Sequence, residues 1–183
     1  MLRGKRLTLR LIERRDLELL RQWRNSPEVF QFFEAKELIS EVEQERWFEK
    51  VSLHKSSYYF IIETKDGPVG TCNIKNINWV HRTATSGMYF VSDPATHYTL
   101  PVEAVILLLD YAFESLNLRK MYGDVLAVNE RAVKFNKKLG YKAEGVREKQ
   151  VFHNGQYVDL VLIGLLRERY RETVAKYRSL LFD

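Results

Sequence analysis

The chain has 183 residues, 45% of them hydrophobic and 29% charged, with a formal net charge of +5. That is enough chain for one sizeable core, and the composition excludes a disordered or low-complexity polymer. Lys and Arg are spread without a dense basic block, Cys72 is the only cysteine, and no long uncharged apolar run occurs. These features argue against nucleic-acid binding, an internal disulfide, a cysteine zinc cluster and a membrane span, and the expectation is a cytoplasmic protein.

Arg6 to Leu11 alternates polar and apolar residues and reads as a half-buried strand. Asp16 to Trp23 carries Leu17, Leu20 and Trp23 on one helical face, and Asn25-Ser26-Pro27 punctuates it. A short aromatic-rich piece follows, from Val29 to Phe33. Ser40 to Lys50 is predicted helical, with Ser40 and Glu43 at the spacing of a reciprocal capping pair. Strands are predicted over Tyr58 to Glu63, Val69 to Trp79 and Thr85 to Val91, with a turn at Asp66-Gly67-Pro68. Pro101 to Leu116 has helical spacing, Met121 to Val128 is strand-like, and Asn129 to Tyr141 is a helix closed by Gly140. Lys149 to Phe152 and Tyr157 to Leu165 flank an Asn154-Gly155 hairpin signal, and Arg167 to Leu181 is a charged C-terminal helix. The pattern is a mixed α/β sheet with flanking helices. A single domain over residues 1–183 is expected, with a core of about 1–166 and a helical extension over 167–183.

A loop that enters a helix directly after a strand gathers backbone N–H groups and the positive end of the helix dipole, so it suits an anion. Two such units occur, at Met88 to Leu116 and at Met121 to Tyr141. Asn129-Glu130-Arg131-Ala132, followed by Lys138-Leu139-Gly140-Tyr141, resembles the Asn-x-x-Ala to Lys-Leu-Gly-Phe segment of the Gcn5-related N-acetyltransferase family. The order of elements along nearly the whole chain is similar to that family's, which implies its fold and acetyl-coenzyme A as co-substrate, without a metal.

The resemblance implies a set of site residues. The family's pyrophosphate loop, Gln/Arg-x-x-Gly-x-Gly/Ala, falls on Thr96-His97-Tyr98-Thr99-Leu100-Pro101, where both glycines are replaced. Pro101 also lacks an N–H, although it suits the first turn of a helix. Asn129 inherits a helix-capping and pantetheine-binding role, and the backbone of Phe90 and Val91 is expected to pair with the pantetheine as an added strand. Many members place a tyrosine near the sulfur as general acid. Here that place falls on Phe135-Asn136, and only the Asn136 amide could polarise the thiolate. Candidates for a base are Glu34, weighted first, then Asp124, Asp159 and His153.

Trp23-Arg24-Asn25-Ser26-Pro27-Glu28-Val29 is similar to an element of two branches of the family, the ribosomal-protein N-terminal and the nucleotide-amino-sugar acetyltransferases. Arg24, Phe33, Asn73 and Tyr89 are the candidate acceptor-binding residues. The favoured partner is a small-molecule amine, with an amino sugar on a nucleotide carrier first, a protein α-amine second and a polyamine third. A homodimer is also allowed by the resemblance. The reading from another class is a cofactor-binding module without turnover, motivated by the missing glycines and tyrosine.

Overall fold

The computed structural model describes residues 1–30, 37–53, 55–91 and 99–182. The elements run β1 (Leu2–Arg3), β2 (Leu7–Leu11), α1 (Leu17–Asn25), α2 (Pro27–Phe30), α3 (Glu41–Leu53), β3 (Tyr58–Thr64), β4 (Gly67–Asn78) and β5 (Thr83–Phe90). The second half runs α4 (Thr99–Asp110), a π-turn (Tyr111–Ser115), β6 (Lys120–Leu126), α5 (Glu130–Lys138), β7 (Lys142–His153), β8 (Gln156–Leu166) and α6 (Arg167–Phe182). The strands form one sheet in the order β1-β2-β3-β4-β5-β6-β8-β7. All neighbours are antiparallel except β5 and β6, which are parallel. This is the expected mixed α/β architecture, with helices on both faces and a C-terminal helix.

Strand alternation sorts the two faces. Leu9, Phe60, Ile62, Cys72, Ile74, Ala84, Met121 and Leu165 point to one side, where Ala104, Val105, Leu108 and Leu109 of α4 and Tyr170 and Val174 of α6 close the main core. Alternate residues point to the other side. There the ring of Tyr59 meets Trp47 of α3 edge-on at 4.9 Å, and α1 packs on α3.

The helices begin and end for legible reasons. Ser40 and Glu43 cap α3 reciprocally: Glu43 Oε2 accepts the Ser40 N–H at 2.8 Å, and Ser40 Oγ accepts the Glu43 N–H at 3.3 Å. Gly140 closes α5 at φ +94°, where its N–H donates to Lys137 O and the Tyr141 N–H reaches back to Asn136 O, a left-handed stop that favours glycine. Asn154 and Gly155 both have positive φ, as a tight hairpin turn between right-twisted strands requires.

Three features depart from the sequence reading. β1 pairs with β2 through two residues, too few to show any periodicity. β7 starts at Lys142 rather than Lys149, because Lys142 to Gln150 lies on an outer edge, is largely exposed and has no apolar alternation. Its register comes from β8. The helix predicted over Pro101 to Leu116 begins at Thr99 and widens at Tyr111–Ser115, where the Leu116 N–H donates to Tyr111 O. Just before that turn, the Tyr170 hydroxyl of α6 donates to Ile106 O and to Asp110 Oδ1.

A buried ion pair fixes the face that carries α1. Arg10 of β2 forks onto Asp16 at 2.7 and 2.9 Å, and its Nε donates to Glu63 at 3.2 Å. Burial alone would push the Asp16 carboxyl up, but hydrogen bonds from Arg10 and from the Glu13 N–H outweigh it and hold the group below its usual range. The depressed group adds stability above its unfolded value, roughly pH 4, and that stability is lost as pH falls through the lower folded value. Asp16→Ala should therefore cost about 3 kcal/mol in urea unfolding at neutral pH, because Arg10 stays buried with one weaker partner. The difference between wild type and variant should shrink as the acid limit is approached.

Candidate active site

β5 and β6 pair over only three positions, Thr83↔Lys120, Ala84↔Met121 and Thr85↔Tyr122. Beyond them each strand is held by its other neighbour. β4 follows β5 to the pair Gly70↔Phe90, and β8 follows β6 to Leu126↔Leu160. The two strands therefore diverge, and among the described residues their facing backbone groups have no strand partner. The Val91 N–H donates to Val69 O at 2.9 Å, so it points toward β4. By alternation, it is the Phe90 N–H that faces the gap. Such a free edge suits an extended chain carrying amides.

Each strand of the gap is followed in the chain by a helix, β5 by α4 and β6 by α5. Asn129 caps α5, its Oδ1 accepting the Ala132 N–H at 3.1 Å. Asn136 lies on the same helix and is half-buried. Its amide donates to Ala132 O at 2.9 Å, which leaves a second amide hydrogen for a ligand. Leu139 and Tyr141 are core residues, 3% and 6% exposed, and Lys137 and Lys138 are exposed. Thr99 opens α4, and Leu100 is buried in the main core, so only its backbone could meet a phosphate. Pro101 occupies the first turn of α4, as expected. Thr96, His97 and Tyr98 lie outside the described residues, as do Phe33 and Glu34.

On the α1–α3 face of the sheet, Asn73 pairs directly with Gly87, and Thr71 with Tyr89. The Asn73 Oδ1 is buried without a hydrogen-bond partner among the described residues. Tyr89 is largely enclosed, and burial pushes its phenol up. Desolvation lowers the pKa of Arg24, and the field of Tyr89 partly opposes that shift. Arg24 at the end of α1 and Tyr89 on β5 are thus brought together with Asn73. Asp159 and His153 sit elsewhere: an Asp159 oxygen accepts the Lys149 N–H at 2.8 Å in a bulge of β7, and His153 adjoins the hairpin turn. Among the described residues no group of three or more His, Cys, Asp and Glu could hold a metal ion.

Asn25 is a positioning residue that the sequence reading missed. Its carboxamide donates to Ile39 O at 2.8 Å and accepts the Ile39 N–H at 2.9 Å, which pins the approach to α3 beside the end of α1. A fourteen-residue side-chain bridge leaves no periodic signal in the sequence.

A sheet opened between two parallel strands, with a helix entering after each and Asn129 capping the second, suits an acyl-coenzyme A ligand. Residues 6–142 match the acetyltransferase (GNAT) domain, and the chain belongs to that family. It is an N-acetyltransferase that uses acetyl-coenzyme A as co-substrate. It is 30% identical over 162 residues to spermidine N(1)-acetyltransferase of Escherichia coli, covering 88% of this chain and 87% of that one. It is also 30% identical over 177 residues to the probable N-acetyltransferase YjcK of Bacillus subtilis, covering 91% and 97%. The crystal structure of spermidine N-acetyltransferase from Vibrio cholerae in complex with CoA and spermine superposes with a TM-score of 0.84 at 26% identity, over 91% of this chain and 98% of that one. The curated relatives named for an acceptor are thus named for spermidine. These three relatives do not bear the names of the two branches that Trp23 to Val29 suggested.

Asn129→Ala should lower the unfolding free energy by about 1 kcal/mol through the lost cap. It should also weaken coenzyme A binding in calorimetry. Asn136→Ala should bind coenzyme A nearly as well as wild type and release thiol more slowly. The reverse pattern would move the sulfur away from Asn136.

Proposed function

We propose that this enzyme acetylates a primary amine of a polyamine of the spermidine class, by direct attack on the thioester in a ternary complex. The observation that carries this reading is the likeness, over about nine-tenths of the chain, to enzymes named for spermidine. Charge distribution supports it. The stretch from Glu28 to Glu49 contains Glu28, Glu34, Glu37, Glu41, Glu43, Glu45 and Glu49 against Lys36, Arg46 and Lys50 just beyond, in a chain that is otherwise basic. A polycation is drawn to such a stretch by its field, and Asn25 ties the start of α3 to the end of α1.

The chain's own groups have defined tasks in this reading. The Phe90 N–H, facing the gap, donates to the thioester carbonyl as negative charge develops there. Asn129 anchors the pantetheine arm, and the spare Asn136 amide hydrogen meets the departing sulfur. Thr99 and the backbone of Leu100 meet the phosphates at the start of α4, together with Thr96, His97 and Tyr98. Acetyl-coenzyme A supplies the activated acyl group. Glu34 is the first candidate for helping the ammonium lose its proton, and Phe33 belongs to the same acceptor segment.

A second reading is favoured by one observation: Arg24, Asn73 and Tyr89 bring a cation, an amide and a phenol to the acceptor side, groups that suit a hydroxylated and less basic amine such as an amino sugar. The two readings separate in a thiol-release assay with spermidine, a nucleotide-linked amino sugar and an N-terminal peptide. Spermidine should give the highest kcat/KM. An alkylammonium has a pKa of about 10.4, so with spermidine log(kcat/KM) should climb with a slope of about one between roughly pH 7 and pH 9 as the neutral amine accumulates. Turnover confined to the amino sugar would replace the polyamine reading, and coenzyme A binding without turnover on any amine would replace both.

A further inference from the structure

We infer that the acceptor ammonium is held over Gly87, between the Asn73 carbonyl oxygen and the carboxylate of Asp124, so that Asp124 is an acceptor-binding residue of this enzyme. The inference rests on the reading of the β5–β6 gap as the site of acyl transfer. The register carries it. Asn73 of β4 lies directly across from Gly87 of β5, so both point to the same face. Thr85 and Tyr122 are the last parallel pair of β5 and β6. Two residues further along each strand, on that same face, come Gly87 and Asp124. Asn73 and Gly87 thus form a row that faces Asp124 across the opening.

Three further observations make this row a binding position rather than a stretch of surface. Asn73 Oδ1 is buried without a partner among the described residues, which costs free energy unless a donor reaches it. Asp124 is exposed and makes no hydrogen bond or ion pair among the described residues, whereas neighbouring Glu144 is already held by Lys120 at 2.7 Å. The face-mates of Asp124 along the two strands are Thr83, Thr85, Gly87 and Tyr89 on β5 and Lys120, Tyr122 and Leu126 on β6, so Asp124 is the carboxylate of this stretch. Gly87, finally, puts no side chain of its own between Asn73 and Asp124, and the Asn73 carboxamide lies beside it. A Cβ there would stand 3.4 Å from Asn73 Nδ2 and 3.5 Å from its Oδ1, ordinary contact with no clash against backbone. β5 lies between the strands carrying Asn73 and Asp124, and β6 has begun to diverge there, so their backbones stand farther apart than two paired-strand spacings of about 10 Å. The two side chains reach into that width from opposite sides, toward one ammonium.

Chemistry assigns the two oxygens complementary tasks. An ammonium brings three N–H donors and a positive charge. Asp124 supplies the opposite charge and the Asn73 carbonyl a neutral acceptor, so a neutral hydroxyl in the same place would gain only the weaker bond. The row therefore selects for an amine at the attacking position, whatever the remainder of the acceptor carries.

The test compares wild type, Asp124→Asn and Gly87→Ala, using whichever amine of the panel gives wild type its highest kcat/KM. Coenzyme A affinity, read by calorimetry, should be unchanged in both variants. Asp124→Asn should raise the acceptor KM about tenfold or more, the loss of one charge-assisted bond, with a smaller change in kcat. Gly87→Ala should raise the acceptor KM in the same way by placing a methyl group beside the Asn73 carboxamide, and its thermal unfolding should match wild type. Wild-type KM values in both variants would overturn the inference and leave the acetyltransferase reading standing. An active wild type whose variants lose coenzyme A affinity in step with acceptor affinity would also overturn it, by assigning the row to the cofactor. A wild type that releases no thiol with any amine would overturn the reading of the gap and this inference with it.

Discussion

The brevity of one parallel pairing organises the functional half of this molecule. β5 and β6 share three paired positions and then part, because β5 stays zipped to β4 and β6 to β8. An antiparallel ladder on each outer side holds its strand straight, so the inner edges open without either strand fraying. The opening is therefore a product of the strongest pairings in the sheet. It leaves backbone groups facing outward at a level where each strand passes into a helix-entering loop. In a sheet paired throughout, the Phe90 N–H would have a strand partner and Asp124, already paired with Leu162 of β8, would be closed in by β5 as well.

Packing then gives the two faces of the opening different work. On one side α4 and α6 bury a continuous apolar layer, and Tyr170, only 1% exposed, ties the two helices through Ile106 O and Asp110. That layer makes a rigid back wall for Thr99 and Leu100. On the other side the packing is polar at decisive points. Arg10 and Asp16 lock β2 to the start of α1, and Asn25 locks the end of α1 to the approach to α3. α1 is thus fixed at both ends, and Arg24, one residue before Asn25, is held beside Tyr89. Both anchors are hydrogen-bonded through both of their side-chain oxygens or through donor and acceptor together, which sets orientation as well as distance.

The charges follow the same division. The chain is basic as a whole, while the stretch around α2 and α3 is strongly acidic. A phosphate-bearing co-substrate is drawn to the basic part of such a chain, and the acidic stretch would draw a cationic acceptor of the proposed kind, so the two fields need not cancel.

The sequence by itself determined the elements whose signals are local. The Ser40–Glu43 cap, the Gly140 stop, the Asn154-Gly155 turn and the apolar spacing of α4 each depend on residues within a few positions of one another, so they were legible without any tertiary information. The Asn129 cap was legible for the same reason. Tertiary structure decided whatever depends on pairing at a distance. The extent of β7 comes from β8, since Lys142 to Gln150 has no pattern of its own. The end of the β5–β6 pairing is a competition among four strands, invisible in any one of them. It turned Val91 toward β4 and Phe90 toward the gap, while the β4–β5 register set Gly87 against Asn73 and left Asp124 on the far edge of the opening. Read singly, those residues are a small residue in a strand, an amide and a surface acid. Their juxtaposition exists because register adds positions from separate parts of the chain, and register is a property of the assembled sheet.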